Sequence, residues 1–156
     1  MIGTTITLND AEQRLARYVA RARQEHDNQA KHITERKIGP QSQFETNLNG
    51  MGAEIAFCRL MNVYPSLDVV DNPAADPQGD CVVLGRTVDV KATRYKNGRL
   101  LAVLWKEKKD VYGLMTGTFP TYEFRGLADG DELLSADNIV DLGHGPTYAL
   151  AQDALR

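Results

Sequence analysis

Asp80, Asp89 and Lys91 fall within one short stretch, GDCVVLGRTVDVKAT over residues 79–93. Side chains at i and i+2 of a strand share a face, so Asp89 and Lys91 project together while Val88, Val90 and Ala92 point the other way. Two β-rich runs, 81–84 and 87–93, flank Gly85-Arg86, a two-residue turn signal with glycine first, and predict a β-hairpin. Asp80, at the mouth of the first strand, is thereby brought alongside the strand that carries Asp89. Two carboxylates and an ammonium converging in this way suit hydrolysis of a phosphodiester. That reaction needs an activated water, neutralisation of charge on phosphorus and relief for the leaving oxygen. Mg2+, with Mn2+ as a substitute, supplies most of this through oxygen ligands, and Asp80 and Asp89 with the backbone carbonyl of Val90 suffice to hold it. Lys91 is then placed to position or deprotonate the water.

The elements around this stretch set what can reach it. Leu8, Ala11, Leu15, Tyr18, Val19 and Ala22 recur at three- and four-residue steps and predict an amphipathic helix over 8–22, capped by Thr7 or Asn9, with its arginines on the wetter side. Residues 24–43 hold few large apolar side chains and contain Gly39-Pro40, which reads as a polar connection. A second helix is expected over 44–61 from Phe44, Leu48, Met51, Ile55 and Cys58. Gly50 and Gly52 are unusual there, since each costs about 1 kcal/mol relative to alanine; either the helix starts after them or a close approach requires them. Glu54 follows directly. Pro65 ends the helix, and 68–79 reads as a short strand and a loop. Further strands are expected over 100–105, 110–115 and 121–127, and a terminal helix over 146–155 opening at Pro146. The sum is one α/β domain over 1–156, with a mixed sheet of about five strands, helices on both faces and the charged groups at one edge of the hairpin.

A net charge of -3 over 156 residues argues against a protein that coats nucleic acid by bulk electrostatics. The charge is nevertheless segregated. Residues 86–109 carry eight basic side chains against two acidic ones, and 110–156 carry two basic against eight acidic. Arg94, Lys96, Arg99, Lys106, Lys108 and Lys109 are therefore candidates for contacting phosphates, which would position a nucleic acid without reading its sequence. Cys58 and Cys81 belong to neither a metal-spaced cluster nor a disulfide framework and are expected as buried, reduced thiols. No apolar run approaches the length of a bilayer crossing, and no apolar segment follows Met1, so a soluble cytoplasmic protein is expected.

With those residues in place, the chain resembles the PD-(D/E)XK nuclease superfamily, whose restriction-endonuclease-like core is an acidic helix followed by a hairpin with an aspartate and then a (D/E)-x-K tripeptide. The tripeptide here is Asp89-Val90-Lys91, and the preceding aspartate matches Asp80, with Gly79 in place of the proline of the name. Glu54 in GMGAE matches the helical glutamate that many members place beside the metal. The stretch DVYGLMTGTFPTYEFRGLADGDEL looks like the later strands of such members, so the resemblance covers about residues 44–135. A helical Gln-x-x-x-Tyr element is not evident, which points away from the resection-type exonucleases and toward an endonuclease. The resemblance implies a Mg2+-dependent deoxyribonuclease, with structured or branched DNA among its substrates. In it Asp80 and Asp89 bind the ion, Lys91 activates water, and Glu54 ligates the metal or orients a water. Cutting both strands of a duplex would call for a homodimer. A catalytically silent module of the same fold that binds DNA or a protein partner is the alternative.

Each residue also has a plainer reading. Asp-x-Lys on a strand is common on solvated sheet faces, where it is only an exposed ion pair. Helices carry many surface glutamates, so Glu54 gains meaning only from its place beside Gly50 and the hairpin. Asp68, Asp71 and Asp76 are alternatives to Asp80 if the first strand begins elsewhere. Lysines beside strands also serve simply to keep an edge from aggregating. Trp105 is expected in the core rather than as a base-stacking platform. His144, between glycines, reads as an exposed loop residue, and His26 and His32 lack a spaced partner for zinc.

Overall fold

A computed structural model describes residues 1–30, 42–69 and 78–156. The first helix, α1 (Asp10–Ala30), starts where Asn9 and Glu12 cap each other: the Asn9 side chain accepts from the Glu12 amide and the Glu12 carboxylate from the Asn9 amide, both at 2.8 Å. It runs well past residue 22, through part of the stretch expected as a polar connection. Ala16, Val19 and Ala20 form its buried stripe, whereas Tyr18, expected on the apolar side, is 74% exposed. The remainder of that connection, with Gly39-Pro40 and His32, lies outside the described residues, as do Asp71 and Asp76.

The second helix, α2 (Gln43–Met61), opens on a capping box between Ser42 and Glu45 and ends on Asn62 in the left-handed conformation, φ 56°, ahead of Pro65. Met51 to Cys58 are buried without interruption because α2 lies between α1 and a sheet. The helix starts before both glycines, which gives them different roles. A Cβ on Gly52 would press into the Tyr122 hydroxyl and stand 2.7 Å from the Phe119 ring, while one on Gly50 would meet nothing within 4 Å. Gly52→Ala is therefore expected to lower the melting temperature by several degrees, on the order of 1–3 kcal/mol of overpacking. Gly50→Ala should leave it unchanged or raise it. Thermal denaturation of the two variants side by side checks this, and equal effects would refute it.

Five strands form a curled mixed sheet: β1 (Thr5–Thr7), β2 (Cys81–Val83), β3 (Arg86–Thr93), β5 (Val111–Thr118) and β6 (Thr121–Asp129), in the order β1-β6-β5-β3-β2, with only β3 and β5 parallel. A second sheet holds β4 (Leu100–Ala102), β8 (Pro146–Leu150) and β7 (Ile139–Asp141), in the order β4-β8-β7. The expected strand over 100–105 is thus shorter and belongs elsewhere. The expected terminal helix is a strand followed by a 3-10 turn, Gln152–Ala154. Proline is tolerated at the first position of a strand as well as of a helix, and here pairing with β4 and β7 decides between them.

The chain is α/β as expected, but the two long helices do not flank the sheet on both faces. Val88, Val90, Val111, Met115, Tyr122 and Phe124 turn one face of the main sheet toward α2, with α1 beyond it. On the other face Tyr112, Leu114 and Ala128 pack with Leu100 and Ala102 of β4 and with Leu133 of the one-turn helix α3 (Gly130–Leu133). The second sheet thus takes the place expected for a helix. Trp105, expected in the core, is 50% exposed, with the Lys106 ammonium 5.8 Å from its ring. Among the described residues no helix is long and apolar enough to cross a membrane.

Candidate active site

The β2–β3 hairpin forms with its turn one residue earlier than expected. Val83 pairs with Arg86, so the turn residues are Leu84 and Gly85, φ 50° and 77°, the left-handed pair that a tight hairpin turn requires. Arg86 is instead the first residue of β3. Moving the turn by one residue shifts the cross-strand register by two, which preserves the faces. The ladder closes at Cys81 opposite Val88, and Asp80 sits just beyond it, its amide donating to the Val88 carbonyl at 2.9 Å and its carbonyl accepting from Ser66 at 2.8 Å.

Because β2 ends there, the next amide on that edge of β3, Val90 N–H, meets a side chain instead of a strand. The Asp80 carboxylate accepts it at 2.6 Å. N–H and C=O of one strand residue point to the same edge, so the Val90 carbonyl faces the edge that Asp80 occupies. Val88 and Val90 point into the core beneath α2, which leaves Asp89 and Lys91 on the opposite face, as the alternation demands. There the Lys91 ammonium lies 3.1 Å from Asp89 Oδ1, with both side chains largely shielded from solvent. This is not the solvated ion pair that the motif alone would suggest.

Glu54 reaches the same centre from α2. It is 9% exposed, and the Asp80 carboxyl is its close neighbour. Burial holds its carboxyl above the ordinary range, although the neighbouring Arg23 guanidinium and the Asp80 contact pull it down. Asp80 is raised well above that range, first by burial and then by the charges of Glu54 and Asp89, against the Val90 amide and Lys91. Two carboxyls in mutual contact share a proton or require a cation between or beside them.

Arg23, one residue past the end expected for the first helix, is a member of this centre that the sequence expectations do not include. Its guanidinium turns inward: Nη1 lies 3.3 Å from Glu54 Oε2, Nη2 donates to the Ser66 carbonyl at 3.1 Å, and Nε donates to the Asp68 carbonyl at 3.2 Å. A signal for this exists in the sequence, because residue 23 continues the stripe 16, 19, 20 at helical spacing. Asp68 thus contributes a backbone oxygen and leaves its exposed side chain outside the centre.

The basic run divides. Arg94 and Lys96 flank the end of β3, on the rim of a cleft beyond Thr93, and Arg99 is exposed. Lys108 pairs with Asp131 in a second cleft, among Arg86, Asp110, Asp129 and Glu132. Lys109, expected at the surface, is 6% exposed, and its stem lies against the position a Gly79 Cβ would take. His144 stands on the exposed β7–β8 turn. Cys58 and Cys81 are free and buried, as expected, and each thiol's neighbourhood includes the other and Glu54.

Among the described residues no three histidine, cysteine, aspartate or glutamate side chains form a ready-made metal cage. The oxygens nearest one another along this edge are hard donors: the Asp80 carboxylate on the Val90 amide, the Val90 carbonyl on the same edge, and Asp89, the preceding residue, close enough for its charge to act on Asp80. Such a set fits Mg2+ or Mn2+, which keep part of their water, better than zinc.

The raised carboxyls carry a stability consequence. Between the unfolded carboxyl range, near 3.8–4.5, and their higher folded values, the native chain binds more protons than the unfolded chain. Stability from this pair is full below that window and declines as pH rises through it. In chelator, the melting temperature is expected to fall as pH rises from the ordinary carboxyl range through the higher folded values of the pair. A melting temperature that climbs over that interval would contradict the assignment.

No family model, no curated protein and no solved structure matches this chain.

Proposed function

We propose that the chain is a Mg2+-dependent nuclease of the PD-(D/E)XK superfamily, with restriction-endonuclease-like architecture, hydrolysing DNA phosphodiesters. The observation that carries this reading is Asp80 seated on the Val90 amide where the hairpin ladder stops, with the Asp89–Lys91 pair on the residues either side of Val90 and Glu54 arriving from the preceding helix. The order of parts, glutamate-bearing helix, then aspartate, then Asp-x-Lys on the paired strand, is the order of that superfamily.

Asp80, Asp89 and the Val90 carbonyl would hold the ion, and Mn2+ would serve in place of Mg2+. Bound there, the ion supplies Lewis acidity and offsets charge that accumulates on the phosphate. Lys91, tethered by Asp89, presents an ammonium on the same face, where it orients the attacking water or a phosphate oxygen. Glu54 acts through Asp80: anchored by Arg23, it fixes the direction in which that carboxylate points. Glu54 is in this sense a positioning residue. One such centre cuts one strand at a time, so double-strand cleavage would call on two copies.

The test is incubation of labelled single-stranded, duplex and branched DNA, and of RNA, with Mg2+, Mn2+ or chelator. Wild type should cut DNA with either metal, and neither wild type in chelator nor Asp89→Ala in Mg2+ should cut. Activity that survives in Asp89→Ala would refute the site. Salt-sensitive binding with no turnover under any metal would favour the silent binding module instead. The ion should also reverse the pH trend given above, raising the melting temperature more at about pH 8 than at about pH 5, because it replaces protons on the carboxyl pair.

A further inference from the structure

Strand β6 carries a bulge. Leu114 pairs with Gly126 and Met115 with Phe124, so Arg125 has no opposite number on β5. An extra residue of this kind redirects a side chain, and bulges are over-represented next to active sites. Tyr122 and Phe124 before it face α2; past it the alternation is reset, with Leu127 against that core and Ala128 against the second sheet. Arg125 is held firmly. Its Nε donates to Thr116 Oγ1 at 2.9 Å, Nη1 lies 3.1 Å from Glu123 Oε1, and Nη2 donates to Glu123 Oε2 at 3.2 Å. Thr116 is itself buried, and its hydroxyl keeps a proton to donate.

A cleft of about 220 Å3 opens here, lined among others by Thr5, Arg94, Lys96, Thr116, Glu123 and Arg125. Those six include three cations and one carboxylate, so the cleft suits an anion. Thr116 pairs with Thr93, two residues beyond Lys91 on β3, and Asp89, Lys91 and Thr93 share the face away from α2. At about 3.3 Å per strand residue the cleft begins roughly 7 Å along β3 from Lys91. The second sheet packs on this face at Tyr112 and Leu114, the β5 partners of Asp89 and Lys91, and Thr93 and Thr116 lie past them toward the cleft. Phosphates on one strand of a duplex recur at about 3.4 Å of axial rise and are further apart along the backbone, so roughly 7 Å corresponds to one or two nucleotides.

We propose that this cleft holds a non-scissile phosphate of the DNA strand being cut, roughly one or two nucleotides from the reacting bond, with Arg94, Lys96 and the bulge residue Arg125 as its cationic contacts. The assignment rests on the nuclease reading and adds to it the track along which the substrate lies. Arg125 is preorganised by Thr116 and Glu123, and Arg94 and Lys96 add two further cations to the lining of the same cleft.

The experiment measures binding of a fluorescent DNA oligonucleotide to the full chain in chelator, across a salt series, with Mg2+-dependent cleavage assayed in parallel. Arg125→Ala, and separately Arg94→Ala with Lys96→Ala, should each weaken binding about tenfold or more at about 0.1 M salt. Each should also lower the slope of log K against log salt by about one for every phosphate that is no longer neutralised. Arg125→Lys should recover most of the slope, and Arg59→Ala, on the helix side of the molecule, should change neither quantity. Because Arg94 and Lys96 are exposed, their variants keep the test open even if Arg125→Ala fails to fold. If wild type cuts DNA and all cleft variants bind with its slope, the cleft assignment falls and the nuclease reading stands. If wild type neither binds nor cuts DNA, both fall together. Slope losses seen with an RNA strand and not with DNA would overturn the assignment to DNA.

Discussion

Asp80→Asn should abolish Mg2+-dependent cleavage and at the same time raise the melting temperature of the protein. The two effects have one cause. Asp80 is an inward-turned carboxylate, made costly by burial and by the charges of Glu54 and Asp89. Asparagine keeps an oxygen for the Val90 amide and offers an N–H to Glu54, turning a carboxyl–carboxyl contact into an ordinary hydrogen bond. Removing one of two clashing buried charges should stabilise the fold by about 1–2 kcal/mol, and each kcal/mol is worth about 2–4 °C in a domain of this size. The neutral amide is a poor ligand for a hard dication, and losing several kcal/mol of electrostatic stabilisation means at least about a hundredfold in rate. Calorimetry and single-turnover cleavage on the same preparation check both halves. A variant that is both less stable and inactive would indicate a structural Asp80, whereas one that still cuts would remove Asp80 from the site.

A pairing of higher stability with lost cleavage would also separate this centre from an ordinary ion-pair network. In a network built for stability, each carboxylate is satisfied by a cation. Here three acids, Glu54, Asp80 and Asp89, share two cations, Arg23 and Lys91, and the charge of Glu54 adds to the cost of ionising Asp80. The fold tolerates that arrangement because Asp80 is tied at its amide, its carbonyl and its carboxylate.

What can be read from the amino acids alone is local. The period of two on β3 separates Asp89 and Lys91 from Val88 and Val90, and a tight turn returns the chain to Asp80; neither step needs distant residues. Even a turn placed one residue late leaves the faces intact, because a register shift of two keeps each side chain on its side. Long-range pairing is not legible. Leu100 to Ala102 meet Tyr148 to Leu150 across some fifty residues of chain, and that pairing turns an expected C-terminal helix into a strand. Lys109 reads as a surface cation in a basic run, yet the chain enters β5 there and folds its stem over Gly79. Arg125 could not be singled out at all, since a bulge shows only when the partner strand is known. Arg23 lies between these cases: the helical stripe that would expose it is obscured when Tyr18 is counted among the apolar positions.

Lys91→Met should lower the single-turnover rate by about a hundred- to ten-thousandfold, the range expected for loss of a positioned proton-transfer or charge-stabilising group. The metal requirement separates this effect from that of a ligand. Methionine preserves the length of the stem but removes the ammonium that now stands 3.1 Å from Asp89 Oδ1. With its neutralising partner gone, Asp89 is a more strongly anionic ligand, so the Mg2+ concentration for half-maximal rate should stay level or fall. Asp89→Asn, in contrast, should move that concentration upward, because one of two carboxylate ligands has become neutral. Lys91→Arg keeps the charge but spreads it over a planar fork too broad for a point contact, and should restore only a small part of the rate. Rates measured across a Mg2+ titration for these variants distinguish the roles. A Lys91→Met enzyme whose rate recovers fully at high Mg2+ would make Lys91 a support for metal binding, and would take from it the part in the chemical step that its place beside Asp89 otherwise supports.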